Sequence, residues 1–145
     1  MTAKEYLKKI RELDIKINDG TEEMEQLKAL ATKVTSAMDG EVVSSSKNPD
    51  KMTDVVAKII KLQEKLNRDV DKYVDIKREA VEMLSEIENP THYKILHSRY
   101  VLFKKWEQIA CEIGFTYQWV NELHDVALLE FEKIMQKKGR LLDRN

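Results

Sequence analysis

The sequence predicts an all-α protein in which a long antiparallel helical hairpin precedes a small helical domain. Three observations carry this expectation. Charged residues make up 35% of the 145-residue chain, and only four Gly and two Pro interrupt it, a composition that favours long helices. Apolar residues recur at a sustained 3,4 spacing through residues 1–88, the signature of a coiled-coil seam. Eight of the ten aromatic residues fall between Tyr93 and Phe131, and bulky rings suit a small core better than a two-stranded seam.

Both prolines follow asparagine, at Asn48-Pro49 and Asn89-Pro90. Asn at the N-cap with Pro at the first helical position starts a helix. The chain therefore reads as three helical segments, 2–38, 49–88 and 90 onward. The hairpin occupies residues 1–88 and the second domain residues 89–145.

The first seam runs through Ala3, Tyr6, Ile10, Leu13, Ile17, Gly20, Met24, Leu27, Ala31, Val34 and Met38. Asp39-Gly40 ends it, with Gly40 as the expected C-terminal cap. Glu41 to Lys47, including Ser44-Ser45-Ser46, forms the connecting loop. The second seam runs through Met52, Val55, Ile59, Leu62, Leu66, Asp69, Tyr73, Ile76, Ala80, Met83 and Ile87. A loop of about ten residues folds the two helices back antiparallel, so that Met38 meets Met52, Ala31 meets Ile59 and Ile10 meets Ala80. Gly20 and Asp69, the two blemishes, then share one layer, where water can reach Asp69. A second apolar row on the second helix, Val56, Ile60, Val70, Val74 and Leu84, needs cover from the C-terminal domain or from a second copy in a homodimer.

Composition narrows the function classes. A net charge of −1 selects no partner. The single cysteine, Cys111, leaves no internal disulfide and fits a reducing cytoplasm. No apolar run approaches the roughly 18–20 residues that span a bilayer, and no signal core precedes the first helix, so no membrane partner is expected.

The functional signal lies in residues 106–125, WEQIACEIGFTYQWVNELHD. Two short helices crossing around a tight turn need a small residue at their contact, and Ala110 supplies it. Four residues later the turn needs a positive φ, which Gly114 adopts without strain. Val120 anchors the second helix inward, Ile109, Ile113, Phe115 and Leu123 complete the core, and Thr116 caps the second helix. Such a helix-turn-helix exposes Thr116, Tyr117, Gln118, Asn121 and Glu122 for reading DNA bases. Gln118 and Asn121 suit adenine edges in the major groove. Two lysines stand against six carboxylates between Lys104 and Glu132, a net of −4 that makes this acidic segment a weak surface for a phosphate backbone. Phosphate contacts are expected from Lys94, Arg99, Lys104 and Lys105, with Lys133, Lys137, Lys138, Arg140 and Arg144 in a basic tail.

The Ile109-Ala110 pair, the later Gly114 and Val120, the flanking Leu96-x-x-Arg99-Tyr100 and Leu123-His124-x-x-Ala127-Leu128 resemble sigma-factor region 4 over residues 95–134. The whole chain resembles a family of short sigma-like proteins from phages and prophages of Gram-positive bacteria, with ArpU-type late transcription regulators as relatives. Met1 to Leu7 and Asn48 to Met52 carry that second likeness. The resemblance implies a sequence-specific transcriptional regulator in the bacterial cytoplasm, acting on double-stranded DNA with a possible RNA polymerase partner. The alternative is a protein-interaction module that docks on polymerase or a host regulator without reading DNA alone.

An enzyme is not expected. Cys111 sits where a small buried residue belongs, and no third group orients His124 as a base. His92, His97 and His124 lack a shared metal spacing. Trp106, Trp119 and Tyr73 read as packing residues. No cofactor and no metal are expected.

Overall fold

The computed structural model describes residues 1–40 and 48–143 and is all-α, with no strand among them. Helix α1 spans Ala3–Gly40, α2 Asn48–Leu84, α3 Pro90–Leu96, α4 Trp106–Ile113 and α5 Tyr117–Asp143. A five-residue π-helical turn, His97–Val101, follows α3 directly. The long helices α1 and α2 pack against each other as the expected hairpin. The loop Glu41–Lys47 and Arg144 lie outside the described residues, as do the side chains of Met38, Asn48, Pro49 and Arg140. None of the described helices is long and apolar enough to cross a membrane.

Two compact units emerge from these elements. One comprises Leu13–Lys72, and the other comprises Met1–Glu12 with Tyr73–Asn145. The Leu13–Lys72 unit is the two-stranded part. Met24, Leu62 and Leu66 form its core, with Leu27 and Ile59 packed on it. All five are seam positions, as the 3,4 spacing demands. Gly20 and Asp69 line one cavity of about 180 Å³. The side chain that leaves no room for a Cβ on Gly20 is Leu66, and Asp69 flanks that contact. A side chain at position 20 would therefore require Leu66 to shift. On the second apolar row, Val56, Ile60 and Val70 stay exposed.

The other unit gathers α3, α4 and α5 with the first turns of α1 and the last turns of α2. Its larger core joins Tyr6, Leu7 and Ile10 of α1 to Met83 and Leu84 of α2 and Phe131 of α5. Leu84 of the second row is completely buried here, while its neighbour Val74 is exposed. Tyr73 packs against this core. The Tyr6 hydroxyl donates to Glu79 Oε1 at 2.8 Å, and burial together with that carboxylate pushes the phenol pKa up. Asn89 caps α3 as expected: its side chain accepts from the Thr91 and His92 amides at 2.9 and 3.2 Å, with Pro90 in the first turn. Glu130 of α5 then ties this junction down. One oxygen accepts from the Glu88 amide at 3.2 Å and the other lies 2.7 Å from His92 Nδ1.

Candidate functional site

The α4–turn–α5 segment has the local geometry that its residues predict. Ile95, Ile109, Ala110 and Val120 form a small core, with Trp106, Ile113 and Leu123 against it. Gly114 closes α4 at φ 81° and ψ 26°, and its N–H donates to the Ala110 carbonyl at 2.9 Å. Thr116 Oγ1 accepts from the Trp119 amide at 3.1 Å and so caps α5.

Three expectations for this segment are corrected. Cys111 is exposed, because Ala110 takes the inward direction and the next residue turns about 100° away from it. Phe115 is 40% exposed, since it leaves the left-handed glycine pointing outward. Trp119 is 47% exposed beside the buried Val120. Trp106 is half-buried, so of the two tryptophans only it packs on the core.

The residues expected to read bases fall on one side of α5. Tyr117, Gln118 and Glu122 are exposed, as is Thr116, whose hydroxyl is engaged in the cap. Asn121 is half-buried and lines a neighbouring groove. The four expected phosphate cations separate into two pairs. Lys104 forms a salt bridge to Glu112 at 2.9 Å. Lys104 and, more weakly, Lys94 hold the Glu112 carboxyl below its ordinary range. Arg99 and Lys105 lie instead on the groove beside Asn121. Arg99 is braced there. Its guanidinium donates to the Lys104 carbonyl at 3.0 Å and lies 4.7 Å from the centre of the Trp106 ring.

That groove has a volume of about 740 Å³ and lies within the C-terminal unit. Its floor is aromatic. The Tyr100 hydroxyl lies 2.7 Å from His124 Nε2, and the Trp106 ring meets the same imidazole edge-on at 4.6 Å. Burial drives the His124 pKa down to about 4 and the Tyr100 pKa up to about 12, so both are neutral near pH 7. Phe103 forms another wall, at a φ of 57°. That conformation is strained for a large residue, and the ring is held by the core on one side and Arg11 on the other, 4.7 Å from its centre.

Lys4, Lys8 and Arg11 of α1 also line this groove, and reading the sequence from residue 89 onward missed them. Their spacing of four and then three residues places them on one helix face, a signal that was open to inspection. Among the described residues, no three His, Cys, Asp or Glu side chains are grouped to hold a metal ion. The chain matches no protein-family model, and no curated protein or solved structure is significantly similar to it.

Proposed function

We propose that this protein is a sequence-specific, DNA-binding transcriptional regulator that uses α4 and α5 as a helix-turn-helix. The observation that carries this reading is the set of polar side chains on α5, with Tyr117 and Gln118 exposed and Asn121 half-buried on the groove, on a helix anchored to the core by Val120. Gln and Asn at such positions match the donor–acceptor pair of adenine. A phage-encoded protein of the sigma region 4 type, acting in the bacterial cytoplasm, fits the sequence resemblance. A homodimer through the hairpin fits the exposed Val56, Ile60 and Val70, and would set half-site spacing.

Binding-site selection from a random duplex library tests the reading. The expected result is an enriched motif whose preference relaxes in Gln118→Ala/Asn121→Ala, with a loss of about 1–3 kcal/mol of discrimination for each lost base contact. Unchanged preference in that double variant, with the fold intact, overturns base readout by these residues.

A second reading has its own observation. Phe115, Trp119, Val126 and Leu129 are all exposed and recur at helical spacing on or just before α5. An apolar stripe of this kind suits a protein partner, with RNA polymerase as the first to test. Failure of any duplex to enrich, together with binding to purified polymerase that Trp119→Ala/Leu129→Ala abolishes, favours this reading over the first.

A further inference from the structure

We propose that the groove beside α5 is an anion site that seats the phosphodiester backbone of duplex DNA, with Lys4 and Lys8 of α1 as its principal phosphate contacts. This inference rests on the DNA-binding reading and names the surface that supplies its electrostatic affinity.

The need for such a surface is quantitative. Residues 104–132 carry a net charge of −4, whereas most non-specific DNA affinity comes from neutralising phosphates with Lys and Arg. The groove reverses that balance. Lys4, Lys8, Arg11, Arg99 and Lys105 line it against only Glu12 and Asp125, a net of +3. Not all five cations are equally available. Arg99 is braced on Trp106 and the Lys104 carbonyl, and Arg11 rests on Phe103. Lys4, Lys8 and Lys105 are exposed, and among the described residues no salt bridge engages them.

Position supports the same occupant. Lys4 and Lys8 stand one helical turn apart, about 5–6 Å at their Cβ atoms, so they form a short row rather than a point, which suits a polymer of phosphates. Lys105 is the N-cap residue of α4, and no side chain caps that helix. The first amides of α4 therefore add partial positive charge where Lys105 and Trp106 meet the groove. Asn121 lines the same groove, about one turn from Gln118. Backbone contacts at Lys4, Lys8 and Lys105 would thus fix the register of the helix that reads bases. The effect of Lys4 on the buried His124, whose protonation it opposes, fits an ammonium group held close to the groove floor.

The test uses the full chain and the duplex enriched by site selection, with affinity followed by fluorescence anisotropy from about 50 to 200 mM salt. Lys4→Gln/Lys8→Gln is compared with Lys28→Gln/Lys33→Gln, which removes the same charge from exposed positions of the hairpin unit. For Lys4→Gln/Lys8→Gln, the log–log salt slope should become shallower by about two. Affinity at low salt should fall on the order of tenfold or more, equally for enriched and scrambled duplexes. The Lys28/Lys33 control should keep the wild-type slope. A wild-type slope in Lys4→Gln/Lys8→Gln, or an equal change in the control, overturns the proposal while leaving base readout by α5 standing. No duplex binding by the wild-type chain overturns both. Helical circular dichroism of each variant confirms that the fold is retained.

Discussion

The Leu13–Lys72 unit and the C-terminal unit both draw on α1 and α2, yet they are held together by different means. In the first, the buried side chains Met24, Val55, Leu62 and Leu66 each keep 5–9% of their surface exposed. In the second, Leu7, Ile10, Leu84, Ile95, Leu96, Ile109, Val120 and Phe131 keep none. Two helices in contact can cover only a stripe on each other, whereas a third and fourth element close the remaining sides. The C-terminal unit also buries polar groups, His92, Ser98 and His124. Among its described residues, the hairpin unit buries Asp69, beside a small cavity. The fullest burial, of apolar and polar groups alike, is therefore found in the unit that carries the groove.

The comparison can be broken most directly by cutting each core. Phe131→Ala should cost about 3–5 kcal/mol, because a fully buried ring leaves a cavity that its neighbours cannot fill. Leu62→Ala should cost about 2 kcal/mol, near the low end of such changes, because its site already borders solvent. Urea denaturation resolved residue by residue through amide exchange would read both, and equal losses would erase the distinction.

Acid sharpens the contrast. The folded-state pKa of His124 is depressed to about 4 by burial, with Lys4 and Arg99 adding to the effect and Asp125 opposing it. Below the ordinary histidine value of 6.5, the unfolded chain binds a proton that the folded chain refuses. Stability is thus full above pH 6.5 and declines as pH falls towards about 4, by about 3 kcal/mol in total. No histidine lies in residues 13–72, so protection should fall in the C-terminal unit first. His124→Gln should flatten that part of the profile, and a profile identical to wild type would exclude His124 as the cause.

The smallest effect expected is a gain. Ser98 is fully buried, and its hydroxyl finds no hydrogen-bond partner among the described residues. Ser98→Ala should leave stability unchanged or raise it by up to about 1 kcal/mol, since it removes a desolvated polar group. A melting temperature clearly lowered in this variant would show that the hydroxyl is satisfied in solution.

What could be read from the sequence was local. The seam residues, the Asn89-Pro90 start, the αL glycine at 114 and the Thr116 cap each follow from a spacing or a single residue's backbone preference. What could not be read depended on elements distant in sequence. Leu7 lies off the α1 seam and yet is completely buried, because α1 meets more than α2 at that end. The π-helical turn at His97–Val101 and the positive φ of Phe103 have no signal in residue spacing or in single-residue backbone preference. Phe115 and Trp119 have the composition of a core and the exposure of a surface. The candidate site divides in the same way. Its α5 face follows from the turn chemistry; the spacing of Lys4, Lys8 and Arg11 gives one face of α1, but that this face borders the same groove as Asn121 depends on a contact between residues far apart in sequence.

That contact has a consequence for the order of folding. Tyr6 and Phe131 place their ring centres 6.1 Å apart, and Ala3, Leu7 and Ile10 share the same core. During synthesis, the first turns of α1 leave the ribosome long before α5 exists. Met83 and Leu84 of α2 can cover part of their apolar face first, but the rest stays open until Phe131 emerges, several seconds later at about 5–20 residues per second. Such long-range closure slows the final collapse. It also makes residues 89–145, if cut free, a fragment without the side chains that complete its interior. The groove is therefore expected to form as a last step, only when the first turns of α1 and α5 have met.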